Sequence, residues 1–101
     1  MATLMELKGL MNDSDLQDKV ESALIIGVQA ILDGTPVAND QKYAAHVFNN
    51  PRSEALKALA SVLATNSSAT VSQIQGATDA ALQTKTNAVI DTLSVAYNAG
   101  A

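Results

Sequence analysis

The chain has 101 residues, 48% of them apolar, enough for one domain that buries roughly 60–70% of the surface its unfolded form exposes. It has no Cys and a single His, His46, which excludes disulfides and thiolate metal sites, and its net charge of −4 offers little to a polyanion such as nucleic acid. No apolar run reaches the ~18 residues of a membrane span, and the N-terminus has no basic stretch leading into an apolar one, so a cytosolic protein outside the membrane and the secretory route is expected.

Eighteen alanines, abundant Leu and no alternation of Val, Ile and Thr predict helix nearly throughout. The first helix is expected over 4–11. In "TLME", Thr3 is an N-cap with Glu6 three residues on, the spacing of a capping box. Leu4, Leu7, Leu10 and Met11 let this helix lie across a bundle, while Gly9 weakens it by about 1 kcal/mol relative to Ala. Residues 1–12 are therefore read as a mobile N-terminal arm.

The next stretch, "DSDLQDKVESALIIGVQAIL", opens with acids and ends almost wholly apolar. A calcium loop starting at Asp13 would need Gly at its sixth position and a bidentate Glu at its twelfth, where the chain has Asp18 and Leu24. The acids instead start a helix, with Ser14 as N-cap, Gln17 three residues on, and Asp15 and Asp18 near the positive end of the dipole. The helix is expected over 15–32. Leu16, Val20, Ala23, Leu24, Gly27 and Ile31 fall on one stripe, and Ile25, Val28 and Leu32 on a second. The second stripe meets either another helix of the same chain or another chain, so Ile25, Val28 and Leu32 are the candidate interface residues.

"DGTP" stops this helix, and a third is expected over 40–48. His46 lies there one turn from Tyr43 and beside Phe48, and a lone His among aromatics reads as a half-buried packing residue rather than a general base. "NNP" places Asn50 at a cap and Pro51 at the first position of a helix over 51–64. Ala55, Leu56, Leu59, Val62 and Leu63 form its inner stripe, with Glu54, Lys57 and Ser61 opposite. "TNSSAT" breaks the chain, and "TVSQ" repeats the capping box with Thr70 and Gln73 before a short helix over 71–75. The last helix, over 79–97, turns Leu82, Val89, Ile90, Leu93, Ala96 and Tyr97 inward and Thr84, Asn87 and Asp91 outward. Residues 98–101 are read as a short flexible tail.

Charge is lopsided: residues 1–40 carry seven acids against Lys8 and Lys19, and the remainder carries Glu54, Asp79 and Asp91 against four cations. Such a split suits two differently solvated surfaces, or copies packed head to tail. No loop has the glycines and Lys of a phosphate cradle, and no Ser or Thr is paired with a recognisable base. Residues 70–93 have the outline of a helix-turn-helix, which makes a small DNA-binding domain the alternative class. That recognition helix would offer Gln83, Lys85 and Asn87 with Asp79 at its start, and one cation on an acidic chain cannot supply the electrostatic part of DNA affinity.

The pattern "YAAHVFNNPRSEALKALASVLATN" followed by "TVSQIQGATDAALQTKTNAVIDTL" resembles small all-helical virion proteins from the head and neck gene clusters of tailed bacteriophages, particularly head-to-tail connector (adaptor) proteins. The likeness covers roughly residues 15–97 and lies in an "NP" helix start, a "VLATN" helix end and a terminal helix carrying "D…LQ…V…ID". It implies a ring of copies on a portal, contacts with portal or other neck and tail proteins, a place in the virion after assembly in the host cytoplasm, no catalysis, and ordering of a terminal segment on assembly. A capsid decoration or tail-completion protein of the same gene neighbourhood would look alike. The expectation is a single-domain, all-α bundle of about four to six helices. It acts as a homo-oligomeric assembly part, with no cofactor, no metal, no catalytic residue and no membrane or nucleic-acid partner.

Overall fold

Side chains that close helix ends set most of the boundaries. A computed structural model describes residues 2–34, 36–66 and 68–100. It contains α1 (Leu4–Met11), α2 (Ser14–Asp33), α3 (Ala38–Asn49), α4 (Pro51–Thr65), α5 (Val71–Gln75) and α6 (Asp79–Ala99), with no strand among the described residues. The chain is thus a small all-α, single-domain bundle. Thr3 and Glu6 form a reciprocal box before α1, and Thr70 and Gln73 form its copy before α5. The backbone N–H of Thr3 donates to Glu6 Oε1 at 2.9 Å, and this bond, with the Thr3 side chain, holds the Glu6 carboxyl below its ordinary range.

Two caps differ from expectation. Asp13, not Ser14, caps α2: its Oδ1 accepts from the Leu16 N–H at 3.1 Å, and Ser14 becomes the first helical residue. A carboxylate is the stronger acceptor at the positive end of a helix. Gln17, freed from a capping role, donates instead to the Met11 carbonyl at 2.6 Å and ties α2 to the end of α1. Asn50 stands at the N-cap of α4, but its amide donates backward to the His46 carbonyl at 3.1 Å, because the same residue also terminates α3. Thr78 provides the cap of α6 through the Ala81 N–H at 3.1 Å.

Helix α2 is the centre of the bundle, packed against α6, α4 and α3, while α4 also packs on α6. Gln83 of α6 donates to the Ala23 carbonyl of α2 at 2.8 Å, and one turn farther Gly27 meets Asn87 and Ile90. Contacts therefore advance together along both helices, so α2 and α6 run parallel. Leu16, Val20, Leu24 and Val28 of α2 enter one core with Tyr43, Val47, Leu59, Leu63, Leu82 and Ile90. The expected stripe of α4 is inside, except that Leu56 is only half-buried.

Three expectations are corrected by burial. Glu54, expected on the outer face of α4, is 3% exposed. Ala96, expected inside, is exposed. Segment 1–12, expected as a free arm, holds a docked helix: Leu10 is in the core, Leu7 and Met11 pack against it, and the Ala2 N–H donates to the Ala69 carbonyl at 3.0 Å. At the other end α6 continues through Ala99, taking in two residues of the expected tail. Met1 and Ala101, the outermost residues of those two segments, lie outside the described residues.

Candidate protein interface

The stripe singled out in α2 is mostly taken up by the chain itself. Val28 is 1% exposed and belongs to the core, while Ile25 and Leu32 are partly buried and pack against it. Ile25 and Leu32 thus offer only their outer edges, and Val28 offers nothing to another chain. The large apolar α2 side chain left in the open, among the described residues, is Ile26, at 58% exposure. Leu24, Ile25 and Ile26 point in directions about 100° apart, so three consecutive large side chains cannot all reach one core.

Helix α1 carries the most exposed large apolar side chains of the described residues, Leu4 at 78% and Met5 at 83%. Successive residues turn by about 100°, which groups Leu4, Met5, Lys8 and Gly9 on the face opposite the side of the partly buried Leu7 and the buried Leu10. All four are exposed. Beside this face runs a shallow apolar shelf of about 230 Å³ between α1 and α4, lined by Leu4, Leu7, Met11, Ala60, Leu63 and Ala64 with Lys8 at its rim. Among the described residues, no heavy atom outside Gly9's own helix turn and chain neighbours lies within 4 Å of where a Cβ would stand, so no tertiary contact there requires a glycine.

A second surface lies along the α2/α6 seam. Its first section, about 270 Å³, is lined by Ala23, Ile26 and Gln83 with Asp18, Lys19 and Asp79 around it. Its continuation, about 330 Å³, passes Gly27 and Ala30 to Asn87 and Asp91. Small residues on α2 bring α6 close and make the floor, while the rim is acidic on balance. The Asp18 carboxylate accepts from Arg52 at 2.6 Å, and Arg52 also reaches Glu21 at 3.1 Å. The bond to Asp18 raises the guanidinium further above its ordinary range. Part of the charge asymmetry read from sequence is therefore satisfied within the chain, between α2 and α4.

The densest polar cluster locks the corner where α3, α4 and the end of α6 meet. The buried Glu54 Oε2 lies 3.0 Å from His46 Nε2 and 3.1 Å from Lys57 Nζ. The His46 ring stacks on Tyr97, with centroids 4.4 Å apart and an interplanar angle of 18°. Tyr43 packs against the same Tyr97 ring, and burial, assisted by the Glu54 charge, pushes its phenol up to about 12. The His46–Glu54 pair joins α3 to α4 and the contacts of Tyr97 join α6 to α3, while Lys57 pairs with Glu54 within α4. Sequence reasoning placed His46 correctly as a packing residue among aromatics and missed Glu54, whose partner is eight residues away across a helix junction.

The side chains that DNA recognition would use are committed elsewhere. Gln83 bonds to α2 and to Asn87 Oδ1, and Lys85 is half-buried beside Val62 and Ile74. The open side of α6 presents Thr84, Asp91 and Val95. Compared with models of protein families, with curated proteins and with solved structures, the chain finds no match.

Proposed function

We propose that the chain is a non-enzymatic structural part that works by docking on other protein, and specifically a component of the head-to-tail connector region of a tailed phage. The observation that carries the docking part is the outward face of α1, where Leu4 and Met5 stand in solvent beside an apolar shelf although the rest of the helix is anchored by Leu10. Large apolar side chains gathered at one edge mark a contact surface more often than an incidental exposure. The phage assignment is supported by the resemblance of residues 15–97 to connector proteins, and it gives the docked surfaces their partners: further copies of the chain, a portal and neighbouring neck or tail proteins.

Two measurements test this. Proteomics of purified tailed particles from a lysate expressing the chain should find it at a fixed copy number per particle. Confinement to the unassembled fraction overturns the virion assignment. Mixed with purified portal, the chain should co-migrate in a sizing experiment, and Met5→Asp should abolish that co-migration without loss of helix. Unchanged co-migration of the variant removes α1 from the contact.

A further inference from the structure

We infer that the α1 face of one copy docks along the α2/α6 groove of a second copy. The inference rests on the reading that the chain works by binding protein, and it names both halves of one contact. The two surfaces differ in shape and in charge. The α1 face is a ridge with Leu4, Met5 and Lys8 outward, and the Glu6 carboxylate is drawn back into its capping box, leaving Lys8 as the outward charge. The groove has a floor of small residues, an exposed apolar lip at Ile26 and, against Lys19, two rim acids, Asp79 and Asp91, while Asp18 beside them is already held by Arg52. An apolar ridge with a cation thus meets an apolar-lipped groove with an acidic rim.

Length and backbone agree. Eight helical residues span about 12 Å, and the twelve residues of the groove wall from Lys19 to Ala30 span about 18 Å. Gly9, which has no packing reason within its own chain, lies on the docking face one turn from Met5, where the missing Cβ lets another backbone approach. The ridge cannot fill the groove of its own chain, because α1 is held on α4, α2 and α5 by its opposite side with Leu10 in the core. Ridge and groove being different patches, the contact is heterologous: each added copy leaves one ridge and one groove free, so growth ends only on closure into a ring.

Two variants separate this arrangement from any other. Met5→Asp spoils the ridge and keeps the groove, whereas Ile26→Asp spoils the groove and keeps the ridge. Sedimentation velocity over a concentration series should show the wild type associating and each variant alone as a monomer with unchanged helix content. An equimolar mixture should form a one-to-one dimer that grows no further, since a single intact ridge–groove pair remains and two carboxylates oppose the other. Gly9→Ala should melt higher as a monomer yet associate at least tenfold more weakly. A monomeric wild type at all concentrations, an Ile26→Asp variant that still associates alone, or a mixture that stays monomeric each overturns the inference. Should either variant lose helix, Leu4→Asp and Ala30→Asp replace them on the same two surfaces. A chain found in particles but monomeric when pure sinks the self-contact and keeps the wider reading. A chain that associates when pure but is absent from particles does the reverse.

Discussion

Gly27 of α2 lies so near Ile90 of α6 that a Cβ at position 27 would stand 2.5 Å from Ile90 Cδ1, and 2.7 Å from Asn87 Oδ1 as well. The parallel pairing of the two longest helices depends on that missing atom. Asn87 is exposed and can swing away, but Ile90 is buried, so its displacement disturbs the core. Gly27→Ala should therefore lose stability: overpacking costs about 1–3 kcal/mol, against a gain of up to about 1 kcal/mol in helix propensity. Thermal unfolding should show a lowered Tm, and Gly27→Val a larger drop.

Gly9 gives the opposite sign. With no atom within 4 Å of its would-be Cβ and an ordinary helical backbone, Gly9→Ala should add up to about 1 kcal/mol, or roughly 4–8 °C in Tm for a domain of this size. A flat or lowered Tm would mean that position 9 is more constrained than its open surroundings indicate.

Both glycines sit in helical patterns in the sequence; periodicity puts Gly27 on a core stripe and Gly9 on none, but it does not say how closely α6 approaches Gly27. The helices themselves were legible because their signals are local: Thr3 with Glu6, Thr70 with Gln73, Pro51 after Asn50, and apolar residues three and four apart. What could not be read depends on which neighbour a face meets. Glu54 lies on the ridge of Ala58 and Val62, four and eight residues on, and is buried with them. Alanine makes that ridge faint, so the carboxylate looked like part of the solvated side. The Ile25, Val28 and Leu32 stripe was visible as apolar, but only the position of α3 and α6 against α2 decides what covers Val28. Ile26 lies between the two stripes, so periodicity assigns it to neither face, and its exposure follows from both stripes being taken up by the chain's own helices.

The buried Glu54 should be the most sensitive polar residue of the corner. Glu54→Ala removes the shared partner of His46 and Lys57, but leaves two side chains that water can reach, so the cost is that of the lost hydrogen bonds to a carboxylate, on the order of 2–3 kcal/mol. His46→Ala leaves Glu54 held by Lys57 and loses the stack on Tyr97, about 1–2 kcal/mol. A double-mutant cycle on denaturant unfolding should show the two losses to be less than additive. Full additivity would mean that the 3.0 Å contact contributes nothing.

Tyr43 sets the alkaline limit of this corner. Its hydroxyl is buried and makes no hydrogen bond among the described residues, and its phenol is raised from 10.0 to about 12, first by burial and then by Glu54. Above pH 10 the unfolded chain releases this proton while the folded chain keeps it. The stabilisation is accordingly full below pH 10 and lost as pH rises through about 12. In a Tyr97→Phe background, where Tyr43 is the one tyrosine, the tyrosinate absorbance should rise with a midpoint near 12, together with loss of helix. Tyr43→Phe should be close to neutral at pH 7 and should flatten the decline in Tm above pH 10, since no buried phenol is left to titrate.

The stripe of α2 yields the last test. Val28 is buried against the chain's own core, so Val28→Asp places an unpaired carboxylate there and costs several kcal/mol, a large share of a typical 5–15 kcal/mol. Ile25 and Leu32 are only partly buried, and a charge at either can lean toward water from the rim. The pair Ile25→Asp with Leu32→Lys should therefore lower the Tm clearly yet leave a helical fold, a loss between that of Val28→Asp and that of the exposed Ile26→Asp. Circular dichroism on the three variants orders them. If the Ile25 and Leu32 pair melts like wild type while association disappears, their outer edges belong to a contact with another chain. If the pair melts well below wild type and the residual fold still associates, their part is confined to the core, and the seam at Ile26 is left as the open surface of α2.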